Sequence, residues 1–135
     1  FNFLIQNSDK PISSIMETLK INNAFDLGEE FLQMAHEAIN YSEQGDVAYL
    51  TCINAKKSLV NYLTSMLVHY GEEIYSQDPE VLLNQCRDLS GNYFDLKIDG
   101  LLKWQGGEET PNHYLAKEIV QSAELARELM MCEML

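Results

Sequence analysis

At 135 residues the chain has the length of one ordinary domain. Apolar side chains make up 46 % and charged ones 22 %, a balance that supplies a core and excludes wholesale disorder. Nine Lys and Arg stand against 21 Asp and Glu, and the formal charge of −12 excludes a broad nucleic-acid surface while leaving room for one local basic pocket.

Prolines occur only at positions 11, 79 and 111, and between these punctuation points the apolar residues recur at three- and four-residue spacing. No alternating run is long enough for a strand, so the chain reads as all-α. A short first helix is predicted from about Pro11 to Lys20, with Ile12, Ile15, Met16 and Leu19 on one face and Ser14 and Glu17 as a capping box. A second runs from about Asn23 to Ser42 on a stripe of Leu27, Phe31, Met34, Ala35, Ala38 and Ile39. Gln44-Gly45-Asp46 breaks the pattern, with Gly45 suited to a left-handed C-cap and Asp46 to an N-cap.

The next helix, about Val47 to Tyr70, is the longest and most apolar, and Leu50, Ile53, Leu59, Tyr62, Leu63, Met66 and Leu67 are expected to fill the centre. Ala48, Cys52, Ala55 and Ser58 are small enough to admit a close neighbour, and Gly71 ends the run. Asp78-Pro79 places a capping side chain before a proline and starts a helix that runs to about Leu89. Residues 90–110 are too apolar for a solvated linker and read as a short helix plus loop, with Gln105 to Glu109 flexible. Thr110-Pro111 then opens a last helix, about Pro111 to Glu133. Residues 1–22 form an N-terminal segment and 23–135 an up-and-down four-helix bundle, in which amphipathic faces bury one another.

Cys52, Cys86 and Cys132 include no CxxC pair, which predicts free, buried thiols in a reducing, cytoplasmic setting. No basic stretch ahead of an apolar one marks a signal peptide, and no run approaches the roughly 20 apolar residues of a membrane span. Metal chemistry is not signalled either. A di-iron bundle wants Glu-x-x-His twice, and the nearest approach, Gln33-Met34-Ala35-His36, has an amide where the carboxylate belongs. No metal or other cofactor is expected.

The stretch from Ala24 through Phe25-Asp26-Leu27-Gly28-Glu29-Glu30-Phe31-Leu32 to Ala38, followed by Gly45-Asp46-Val47-Ala48, resembles the opening of HEPN domains. Ala55-Lys56-Lys57-Ser58-Leu59 through Leu63 resembles that family's second helix, Glu80 to Leu89 its third, and Ala116 to Leu125 its fourth. The resemblance spans residues 23–134 and implies a helical bundle that dimerises. Many members are ribonucleases with an Arg followed four to six residues later by His. Neither Arg87 nor Arg127 has a histidine in that window, so the resemblance implies a non-catalytic member. Such members accompany nucleotidyltransferase domains or bind nucleotides. The expected function is a non-enzymatic, homodimeric interaction module, with a nucleotide-binding domain and a degenerate ribonuclease as the alternatives.

For a ligand, Arg87, Lys97, Lys103, Trp104 and His113 offer cations around one aromatic ring, with Lys56 and Lys57 of the long helix as further contributors. The plainer reading has Trp104 plugging the bundle end while the lysines solvate it. For a partner, the surplus apolar side chains of Met130, Met131, Met134 and Leu135 suit a dimer or partner interface, or a continuation of the chain.

Overall fold

The computed structural model describes the backbone of residues 12–40, 45–107 and 110–134, and the side chains of these except 12–22, 45 and 46. Leu135 and the Glu108-Glu109 part of the expected flexible loop lie outside the described residues. Five α-helices and a 3-10 turn make up the regular structure among the described residues: α1 (Ile12–Ile39), α2 (Gly45–His69), α3 (Pro79–Leu89), the turn Gly91–Asp95, α4 (Asp99–Gln105) and α5 (His113–Met134). No strand occurs among them.

The two helices expected before residue 42 are one. The junction, Lys20-Ile21-Asn22-Asn23, holds neither proline nor glycine, and asparagine's modest helix cost does not offset the continuing hydrogen-bond ladder. α2 begins at Gly45, so Asp46 lies within it rather than capping it. Its end follows the sequence closely. Gly71 takes a φ of +71°, its N–H donates to the Val68 carbonyl and the Glu72 N–H donates to that of Leu67, a Schellman closure. α3 starts and stops where expected, with Asp78 accepting from the Glu80 N–H. α5 starts two residues after Pro111, because Asn112 rather than Thr110 supplies the cap to the Leu115 N–H.

α1 and α2 pack as an antiparallel pair and come close together at Gly28. Ser58 Oγ donates to the Gly28 carbonyl at 2.8 Å, and a Cβ on Gly28 would stand 2.8 Å from the Tyr62 ring. Ala24, Ala35, Ala48, Cys52 and Ala55 are all buried along the same seam, as small residues must be where two backbones come this near. α5 lies antiparallel to α1 and parallel to α2. Glu29 bonds Arg127 and His36 meets Glu124 on the α1 side, while Tyr70 Oη donates to Glu133 where α2 and α5 end together.

The strict up-and-down order fails at α3. Residues 70–78 carry the chain back along α2, so Pro79 shares a cavity with Lys56 and Cys86 Sγ donates to the Leu63 carbonyl. α3 therefore runs in the same direction as α2. The core is a three-helix layer, α1, α2 and α5, closed on one side by α3, the 3-10 turn and α4. Leu59, Tyr62, Leu63, Met66, Leu67, Leu82, Leu101, Ile119 and Met130 are among its fully buried members. Leu50, expected in the centre, is 53 % exposed because it falls on the side of α2 away from α5.

Arg87 ties the closing segment down. Its Nε and Nη2 donate to the carbonyls of Tyr93 and Leu96, and Ser122 Oγ fastens the Lys97 carbonyl to α5. The fold makes Gly28→Ala a direct test of the seam. The added methyl improves helix propensity by about 1 kcal/mol but meets a buried ring that has nowhere to turn, at a cost of roughly 1–3 kcal/mol. The expected net result is a lower denaturant midpoint, and an unchanged or raised midpoint would contradict this packing.

Candidate functional site

The residues singled out as ligand contacts are not gathered in one place. Arg87 serves the 3-10 turn, with its guanidinium 5.8 Å from the Phe94 ring centre, and lines none of the cavities described below. Lys97 donates to the Phe94 carbonyl on the same segment. His113 sits at the first position of α5 with its ring edge-on to Tyr114, their centres 6.4 Å apart. Lys103 faces a cavity of about 520 Å³ with Lys117, Asn112 and Gln121. Trp104, its neighbour in sequence, turns into another.

That second cavity, of about 550 Å³, is where the structure brings chemistry together. Trp104 reaches it from the last turn of α4, Tyr49 and Lys56 from positions two turns apart on α2, and Gln77, Asp78 and buried Pro79 from the approach to α3. Tyr49 and Trp104 meet edge to face, 6.1 Å between ring centres at 77°. Lys56 lines this cavity with Trp104, whereas Lys57, about 100° further round α2, lies over α1 with its Nζ 5.4 Å from the Phe31 ring centre. Tyr49 and Gln77 were missed in the sequence. Tyr49 falls seven residues before Lys56, two helical turns, and that spacing was the available signal.

A third cavity, of about 400 Å³, opens between α1 and α5 and is lined by Glu29, Glu30, Leu32, Gln33, His36 and Arg127. Its centre is a shared carboxylate. Glu29 Oε1 accepts from Tyr62 Oη and from Arg127 Nε, each at 2.5 Å, and Oε2 accepts from Arg127 Nη2 at 3.3 Å. Burial raises the Glu29 pKa, but the bonds from Arg127 and Tyr62 outweigh it and hold the carboxyl below its ordinary 4.5. Burial and the same carboxylate push the Tyr62 hydroxyl up. His36 enters this groove from two turns further along α1 and faces Glu124 at 3.5 Å. An arginine and a histidine from two helices thus line one groove although no linear window contains both, and the arginine is paired with Glu29.

Of the thiols, Cys52 and Cys86 are buried, and burial pushes them up to about 11 and about 12. Cys132 is exposed, contrary to expectation, because its position on α5 faces away from α2. Met130 is likewise corrected. It is fully buried in the chain's own core, which leaves Met131 and Met134, 39 % and 41 % exposed, on the surface. Among the described residues no three His, Cys, Asp or Glu side chains converge to hold a metal, and no helix is long and apolar enough to cross a membrane. No protein-family model matches the chain, and neither does any curated protein or solved structure.

Glu29 sets an acid limit on the fold. Its folded pKa lies below the unfolded one, so its contribution is whole above the ordinary value of 4.5 and drains away as pH falls through the lowered folded value. Stability should fall in acid, and Glu29→Gln should be less stable than the parent at about pH 6 with the gap closing by about pH 3. Urea titrations at the two pH values check this, and a gap of constant size would contradict it.

Proposed function

We propose that the chain is a non-enzymatic helical interaction module of the HEPN kind, working as a homodimer. One observation carries the reading: among the described residues an apolar row on the outer side of the α1/α2 pair remains partly exposed. Leu27, Phe31 and Ala38 of α1 are half-buried there, Met34 is 47 % exposed, and Leu50 of α2 continues the row at 53 %. A surface this apolar on a charged chain is ordinarily covered by a partner.

Charge favours a second copy meeting at this place. Each copy carries −12, so approach elsewhere is opposed by repulsion between carboxylates. The row holds a single charged side chain, Lys57, lying over Phe31, and Glu30 and Glu37 of α1 flank Met34. Two such rows placed about a two-fold axis bury Met34 and Leu50 and set Lys57 of each copy toward the acidic flank of the other. Met131 and Met134 supply a second, smaller patch at the end of α5, and the company of a nucleotidyltransferase follows from the resemblance alone.

Light scattering after size exclusion tests the reading. The expected mass is about twice that of the 15.4 kDa chain at micromolar concentration, rising with salt that screens the mutual repulsion. Met34→Glu with Leu50→Glu should return it to the monomer mass, whereas Met131→Gln with Met134→Gln should leave the dimer. A monomer at every concentration, or a dimer indifferent to the first pair, would overturn it.

A further inference from the structure

We propose that the open cavity between α2, the end of α4 and the start of α3 docks a proline-rich, arginine-flanked segment of a partner protein. This surface is additional to the self-association proposed above and does not depend on it. The rings of Tyr49, Trp104 and Pro79 supply its apolar lining. Tyr49 and Trp104 meet nearly at right angles, 77° apart, and Tyr49 is 49 % exposed, so the two rings form a corner open to solvent. A pyrrolidine ring suits such a corner, packing on one aromatic face and lying against the edge of the other. Its fixed φ also means that little conformational freedom is lost on docking.

The polar groups around the corner select the same kind of segment. Lys56 and Trp104 carry N–H donors and no acceptor, and neither forms a hydrogen bond or ion pair among the described residues. Gln77 and Gln105 add two exposed amides that are also unbonded there. A polyproline II segment presents bare carbonyl oxygens and no N–H from its prolines, so it answers donors without bringing its own. A β-strand ligand would need a sheet edge for its N–H groups, and no strand occurs among the described residues.

The flanking charge follows from Asp78 and from the chain as a whole. Asp78 Oδ1 caps α3 through the Glu80 N–H, and Oδ2 has no partner among the described residues. An arginine beside the prolines can pair with that oxygen, and Lys56 directs the arginine to the Asp78 end of the cavity. The net charge of −12 draws a cationic segment in and opposes an acidic one.

Trp104 is the chain's one tryptophan, so its emission reports on the corner directly. The probe is a blocked synthetic peptide of about six prolines, roughly 19 Å of polyproline II helix, with an arginine at each end. The full chain is titrated with this peptide, with its alanine-for-proline version and with its glutamate-for-arginine version, following emission and heat. The expected result is a saturable response to the arginine-flanked proline peptide and binding at least about tenfold weaker for the other two. Tyr49→Ala should weaken it about tenfold. Trp104→Phe, followed by heat, should weaken it roughly fivefold, the worth of one neutral hydrogen bond. Lys103→Gln, in the neighbouring cavity, should change nothing, with circular dichroism showing each variant helical. No saturable binding of the arginine-flanked peptide, equal binding of the alanine or glutamate version, or an affinity untouched by Tyr49→Ala in a helical variant would overturn the proposal.

Discussion

The contact on which the structure depends is the meeting of α1 and α2 at Gly28. There is no side chain at that point, and the space its absence leaves is filled by the Tyr62 ring and bridged by the Ser58 hydroxyl. From this contact the rest is positioned. Tyr62, held against Gly28, aims its hydroxyl at Glu29, and Glu29 takes Arg127 from α5 on the same carboxylate. One residue with no side chain and the charged residue after it therefore fix three helices. The ion pair is partly exposed, about 37 % on each side, so its value lies more in fixing the orientation of α5 than in raw stability.

Because α5 occupies the position beside both long helices, the remaining chain has to close the layer from the α2/α5 side. The return loop after Gly71 places α3 parallel to α2, and Arg87 and Ser122 pin the segment that follows. This closure has two consequences. It brings Trp104 onto the side of α2 that carries Tyr49 and Lys56, making a cavity between α2, the start of α3 and the end of α4. Among the described residues it also leaves the outer side of the α1/α2 pair with no helix over it, and Met34 and Leu50 are about half exposed there.

Much of this was legible before the structure. The helical class, the end of α2 at Gly71, both ends of α3 and the small-residue seam follow from local rules about caps and side-chain size. What escaped depended on direction or on distant neighbours. Nothing local says whether the chain turns back after Gly71, so the direction of α3 was out of reach. Arg87 attracted attention as one of two arginines, but an arginine beside a loop is as apt to satisfy carbonyls as to hold a ligand, and here it does the former. Lys103 and Trp104 are adjacent in sequence, yet successive residues of a helix point about 100° apart, and they serve different cavities. Met130 and Met131 separate for the same reason, one in the core and one on the surface.

Native-state hydrogen exchange tests the central claim, that a single junction at Gly28 holds α1, α2 and α5 as one cooperative unit. Amides near Gly28, Ser58 and Arg127 should exchange through one shared opening, and Ser58→Ala should lower protection in all three helices together. If α5 exchanged on its own, or if Ser58→Ala loosened α1 and left α5 unchanged, the junction would not be what holds the three helices together.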